Sequence, residues 1–178
     1  GRWYGTEGNV LHAHGGDMAE MGGNGYWYGE NRTENRYVSV YRSADLLNWT
    51  FCNHVLTTES PTAEHRVRTD QKLRSEKGGK INVERPKVLY NRKIGKFVMW
   101  MHVENGVDYN DAACGIAICD TPDGDFTYLG CFNPFGYMSR DCTLFEDKDG
   151  SAYFISASRD NADLHVYRLT DDYLNADC

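Results

Sequence analysis

The sequence predicts an all-β protein made of repeated four-stranded units, the plan of a β-propeller. Three observations carry that expectation. The 178 residues include 12 Tyr and 18 Gly, a composition suited to half-buried strands joined by tight turns. Short aromatic and β-branched runs recur between turn residues, and no extended stretch shows helical periodicity. One pattern of strand, polar turn, aromatic strand, loop, strand and turn occurs three times along the chain. A β-sandwich also contains many short strands, but it does not require the same signature three times over.

The first unit has a strand over 24–29, a second over 37–43 and a turn over 45–49. The second has a strand over 86–90, a turn over 91–95, an aromatic strand over 96–102, a strand over 115–120 and a turn over 122–126. The third has a strand over 142–145, a turn over 147–150 and strands over 151–155 and 164–169. The Asn24-Gly25 and Asp149-Gly150 steps predict hairpin turns, because Gly accepts positive φ. Blade 1 is thus expected over about 8–58, blade 2 over about 81–133 and blade 3 over about 138–178. The polar, charged stretch of about 59–80 reads as a rim loop, either a solvated linker or a lid.

Composition excludes several functions. The charge of −7, from 26 acidic and 19 basic residues, argues against nucleic acid, which is bound by neutralising phosphates. It is compatible with a neutral carbohydrate. No stretch approaches the 18 apolar residues that would read as a membrane span. The residues contain no signal peptide and open on Gly1-Arg2-Trp3 without Met, so the compartment is left open. Six cysteines show no CxxC pair and are expected as buried free thiols, with disulfides the lesser reading.

Propeller sites form where the innermost strands converge, so residues at the start of each unit are the candidates. These are His12-Ala13-His14-Gly15-Gly16-Asp17, Val83-Glu84-Arg85-Pro86 and Ser139-Arg140-Asp141. Glycoside hydrolysis needs an acid for the leaving oxygen, a base for water and often a third carboxylate that raises the acid's pKa. Glu84 and Asp141 are placed to belong to such a set, with Arg140 holding a carboxylate or a sugar hydroxyl. Against this, a Glu before Pro is often only solvated, and Arg140 with Asp141 could form a surface ion pair of little energetic weight.

His14, Gly15 and Gly16 would form a polar wall that the sugar approaches closely. His12 and His14 could face one side of a strand, but zinc needs further ligands and no matching cluster is evident. No cofactor is expected, and a Ca²⁺ ion in the channel is not readable from these residues. Asp147-x-Asp149-Gly150 lacks the later ligands of a calcium loop and reads as a hairpin turn. The sequons at Asn31 and Asn48 carry no weight by themselves.

Taken together, the His12–Gly16 stretch, Tyr26-Trp27-Tyr28-Gly29-Glu30, Tyr41-Arg42-Ser43-x-Asp45-Leu46-x-Asn48-Trp49, Glu84-Arg85-Pro86-Lys87-Val88 and Ser139-Arg140-Asp141 through Gly150 resemble glycoside hydrolase family 43. The likeness runs over almost the whole chain and points to the exo-β-1,3-galactanase branch. The resemblance implies a five-bladed propeller and hydrolysis with inversion. It makes Asp141 the pKa-modulating carboxylate and Glu84 the group that holds galactose in the central subsite. Glu30 and Tyr109 fall where substrate contacts are expected.

The wider family's general-base Asp is replaced here by the His12–Gly16 stretch, as in the galactanase branch, where a later Gln is thought to serve. The general acid, a Glu opening a fourth blade, has no counterpart in these residues. The chain then reads as about three blades, with the remaining blades as its partner, an exposed flank and no activity of its own. The rival readings are a non-catalytic carbohydrate-binding propeller, an arabinofuranosidase or xylosidase of the same fold, and a pure interaction scaffold.

Overall fold

Residues 2–178 are described by a computed structural model, and among them eleven strands form three antiparallel sheets. The first sheet contains β1 (His14–Met21), β2 (Asn24–Glu30), β3 (Arg36–Ser43) and β4 (Thr50–Thr57). The second contains β5 (Asn82–Asn91), β6 (Lys96–Glu104), β7 (Ala113–Cys119) and β8 (Thr127–Phe132). The third contains β9 (Cys142–Glu146), β10 (Ala152–Ser158) and β11 (Asp163–Arg168). Every strand pairs with its chain neighbour, which is the meander of a propeller blade. The described residues contain no α-helix, only a 3₁₀ turn at Pro134–Gly136.

The side-chain period of two explains how the blades stack. Along β6, Phe97, Met99, Met101 and Val103 join the core shared with the first sheet. The alternate residues Val98 and Trp100 join the core shared with the third. A strand covered on both faces has no polar side, so its sequence is continuously apolar. The first core also takes Tyr26 and Tyr28 of β2 and Val38 and Val40 of β3. The second takes Phe154 of β10 and Tyr167 of β11. Buried polar atoms find partners across blades: the Tyr28 hydroxyl donates to the Pro122 carbonyl at 2.5 Å, and the Trp100 indole N–H to the Tyr173 carbonyl at 2.8 Å.

Several local expectations shift. The first hairpin turns at Gly22-Gly23, both at positive φ (60° and 75°), and not at Asn24-Gly25, which lie in β2 opposite Met21 and Glu20. Two adjacent positive-φ positions favour Gly-Gly over Asn-Gly. The Asp149-Gly150 turn forms as expected, with Gly150 at φ 85° and its N–H bonded to the Asp147 carbonyl at 2.9 Å. From His14 onward the stretch expected before the first blade is itself β1. Strands β4 and β8 occupy segments without a clear strand signature.

The segment after β4 lines a cavity of about 390 Å³ with Ile81, Val103 and Glu104. It runs along the outer edge strand β8, where Ala63 N–H donates to the Tyr128 carbonyl and Cys131 N–H to the Asp70 carbonyl. Such a strap covers an edge that would otherwise present unpaired backbone groups. All six cysteines are free. Burial pushes the Cys131 thiol up to about 11 and the Cys142 thiol up to about 12, so both stay unreactive thiols at neutral pH.

Candidate active site

The innermost strands β1, β5 and β9 are held side by side at one end of the molecule. The Lys87 ammonium donates to the Gly15 carbonyl at 2.7 Å, and Asp17 Oδ2 accepts the Val88 N–H at 3.1 Å. The Cys142 thiol donates to the Arg85 carbonyl at 3.7 Å. Burial raises the Asp17 carboxyl above its ordinary range and lowers the Lys87 ammonium.

Glu84 lies at a β-bulge, where the register of β5 against β6 shifts between Glu84 and Lys87. Arg85 inside the bulge adopts φ 53°, a region costing a non-glycine residue about 1 kcal/mol or more. Bulges of this kind re-aim side chains, and here Glu84 and Arg85 take different directions. Arg85 pairs with Asp141 at 2.8 Å. Glu84 Oε1 accepts from Tyr109 Oη at 2.6 Å and Arg32 at 3.1 Å, while Oε2 lies 3.6 Å from His102 Nδ1. The bond to Glu84 raises the Tyr109 hydroxyl above the usual tyrosine range, so it remains a donor at neutral pH.

Glu84, Asp141 and one ring nitrogen of His102 come within 4.8 Å of one another. The two acids thus meet, although on neighbouring depressions. Asp141 opens on a cavity of about 500 Å³ with Gly15, Gly16, Arg85 and Thr143. Glu84 opens on one of about 190 Å³ with Arg32 and Asn82. A third hollow of about 400 Å³ is lined by His12, His14, Glu30 and Arg32. Two carboxylates and an imidazole form a donor set that could hold a cation, and it is also one suited to sugar hydroxyls.

The remaining candidates divide. Glu30 is buried and fully engaged: Oε2 accepts from Arg32 at 2.8 Å and lies 3.3 Å from His14, and Oε1 accepts the Arg85 N–H at 3.0 Å. It therefore braces its neighbours more than it faces solvent. Arg140 turns away from both pocket carboxylates, bonding the Tyr109 carbonyl at 2.9 Å and Asp160 at 3.1 Å. The Arg140–Asp141 surface pair does not form, because Arg85 takes Asp141 instead. Gly15, at φ 56°, lies against Glu30 and Arg85. A Cβ on Gly16 would fall 1.8 Å from the Tyr28 carbonyl oxygen, so the close approach this glycine permits is to β2.

Four residues of the cluster had no assigned role in the sequence reading. Arg32 sits in the sequon at Asn31, whose own side chain is buried. Arg85 stands inside the Glu-Arg-Pro motif. His102 and Glu104 end the apolar β6, and two ionisable residues at alternate positions of a central strand are a signal of a buried polar pair.

Three meander sheets with carboxylates gathered at their inner ends define a β-propeller of the glycosidase class. The sequence model for glycosyl hydrolases family 43 matches residues 12–177, and the chain belongs to that family. It resembles an exo-β-1,3-galactanase from Clostridium thermocellum at 45% identity and TM-score 0.85, covering 98% of this chain and 38% of that one. An exo-β-1,3-galactanase from Phanerochaete chrysosporium, solved with galactose, gives 34% and 0.80 over 99% and 39%. A family 43 β-1,3-galactosidase, solved with galactodeoxynojirimycin, gives 30% and 0.84 over 99% and 63%. The chain therefore spans less than two thirds of the length of these relatives. No curated protein matches it.

Proposed function

We propose that this chain contributes the galactose-holding part of a glycoside hydrolase that releases galactose from β-1,3-galactan with inversion at the anomeric carbon. The observation that carries the reading is the approach of Glu84 and Asp141 at the inner ends of β5 and β9. The galactanases and the galactosidase among the similar structures support galactose as the sugar.

The separation also bears on roles. One oxygen of Glu84 lies within 4.8 Å of one of Asp141, close enough for both acids to reach one sugar ring. Each also has an oxygen engaged by a guanidinium, from Arg32 and Arg85 respectively. This fits Glu84 gripping a ring hydroxyl and Asp141 tuning a nearby acid by like-charge proximity. Residues outside the 178 would supply the general acid and base.

A retaining mechanism, through a covalent glycosyl intermediate, is the alternative that the product anomer distinguishes. The test is hydrolysis of β-1,3-galactan by the full-length protein, followed by proton NMR in the first minutes. Inversion releases α-galactose first. The β-anomer first would overturn inversion, and no galactose at all would overturn the galactanase reading.

A further inference from the structure

The contacts assigned to Glu84 leave a buried pair beneath it unused. His102 is 2% exposed and Glu104, two residues on, is 0% exposed. The Nε2 of His102 lies 2.7 Å from Glu104 Oε1, and Glu104 Oε2 accepts the Ala112 N–H at 2.9 Å. The remaining ring nitrogen, Nδ1, is buried with no hydrogen-bond partner and faces Glu84 Oε2 at 3.6 Å.

Both halves of this arrangement are costly unless they are linked. A carboxylate out of water needs a partner that offsets its desolvation, and a buried ring nitrogen without a partner forfeits its solvation. The imidazole spans the two acids, with Nε2 at hydrogen-bond distance from Glu104 Oε1 and Nδ1 turned toward Glu84 Oε2 within ion-pair range. The backbone supports the pair: Ala112 adopts φ 40°, and its carbonyl accepts the Ser139 N–H at 2.6 Å and the Asn133 amide at 2.8 Å. Ser139 stands two residues before Asp141, so the support of one acid is tied to the segment that carries the other.

We propose that His102 is a positioning residue for Glu84: held from behind by Glu104, its imidazole clamps the Glu84 carboxylate in place for the sugar ring. This rests on the galactose-holding role of Glu84 given above. Glu84 Oε1 is already held by Arg32 and Tyr109, so the clamp on Oε2 completes the fixing of both oxygens. Its effect belongs to sugar affinity more than to the chemical step.

Two substitutions in the full-length protein separate this role from a merely structural one. His102→Asn keeps an amide near the Nδ1 position, and His102→Gln keeps one near Nε2. On β-1,3-galactan, His102→Gln should raise KM about tenfold, the loss expected when a charged group loses a close polar partner. Its kcat should stay within about threefold of the unsubstituted protein. His102→Asn should recover most of the loss. The opposite order, or equal losses in both, would overturn the proposal.

Should either variant fail to fold, ¹⁵N NMR of the unsubstituted protein decides, with a proton on His102 Nδ1 expected and a bare Nδ1 contradicting the clamp. An unsubstituted protein that releases no galactose would count against the galactanase reading alone. The nitrogen spectrum would still decide the clamp.

Discussion

The two glutamates that meet at Arg32 differ in what surrounds them. Glu30 has a side chain only 1% exposed, while that of Glu84 is 13% exposed beside open space. Glu30 takes hydrogen bonds from Arg32 and the Arg85 N–H, so removing it leaves a backbone donor in the strained bulge without its acceptor. Glu30→Ala is expected to cost about 2–3 kcal/mol, as for a lost buried acceptor, read as a lower urea midpoint. Arg32→Ala should cost less stability, since its own side chain is 66% exposed and Glu30 keeps the Arg85 N–H, yet weaken galactose binding by freeing Glu84. Equal stability losses in the two variants would contradict this division.

At the scale of the element, two glycines of the first sheet separate conformation from space. Gly16 faces the Tyr28 carbonyl so closely that any side chain would force β1 from β2. Gly22 needs positive φ but has open surroundings. Gly22→Ala should therefore cost about 1 kcal/mol from backbone strain, and Gly16→Ala at least twice that, by thermal or urea unfolding. A tolerated Gly16→Ala would mean that β1 is not held against β2 as described. The same scale explains what was legible in the sequence. Strand β6 was evident because both faces are covered and the run is apolar throughout. Strand β8 was not, because Thr127-Tyr128-Leu129-Gly130 is short, carries a glycine and gains its second partner only from the distant 61–70 strap. At the site, Glu84 and Asp141 could be placed from their position at the start of successive units. Arg32 and His102 could not, because their roles depend on a loop and a strand end brought together only by stacking of the blades.

Across the whole molecule, the middle sheet is covered on both faces and each outer sheet on one. The free face of the third sheet exposes Phe145, Leu164 and Val166, and the free side of the first exposes Trp3 and Met18. Apolar surface arranged this way marks an interaction face or an aggregation liability. The isolated 178-residue chain is expected to self-associate, and Leu164→Glu with Val166→Lys should lower its apparent mass in light scattering. An unsubstituted chain that stays monomeric at high concentration would contradict that. The account as a whole stands on the stacking that brings β5 and β9 to one place, so that two carboxylates from different blades serve one sugar. A crystal structure of the protein with galactose tests this most directly. The expected result is a single ring hydrogen-bonded to both Glu84 and Asp141; a ring bound elsewhere, or touching neither acid, would contradict it.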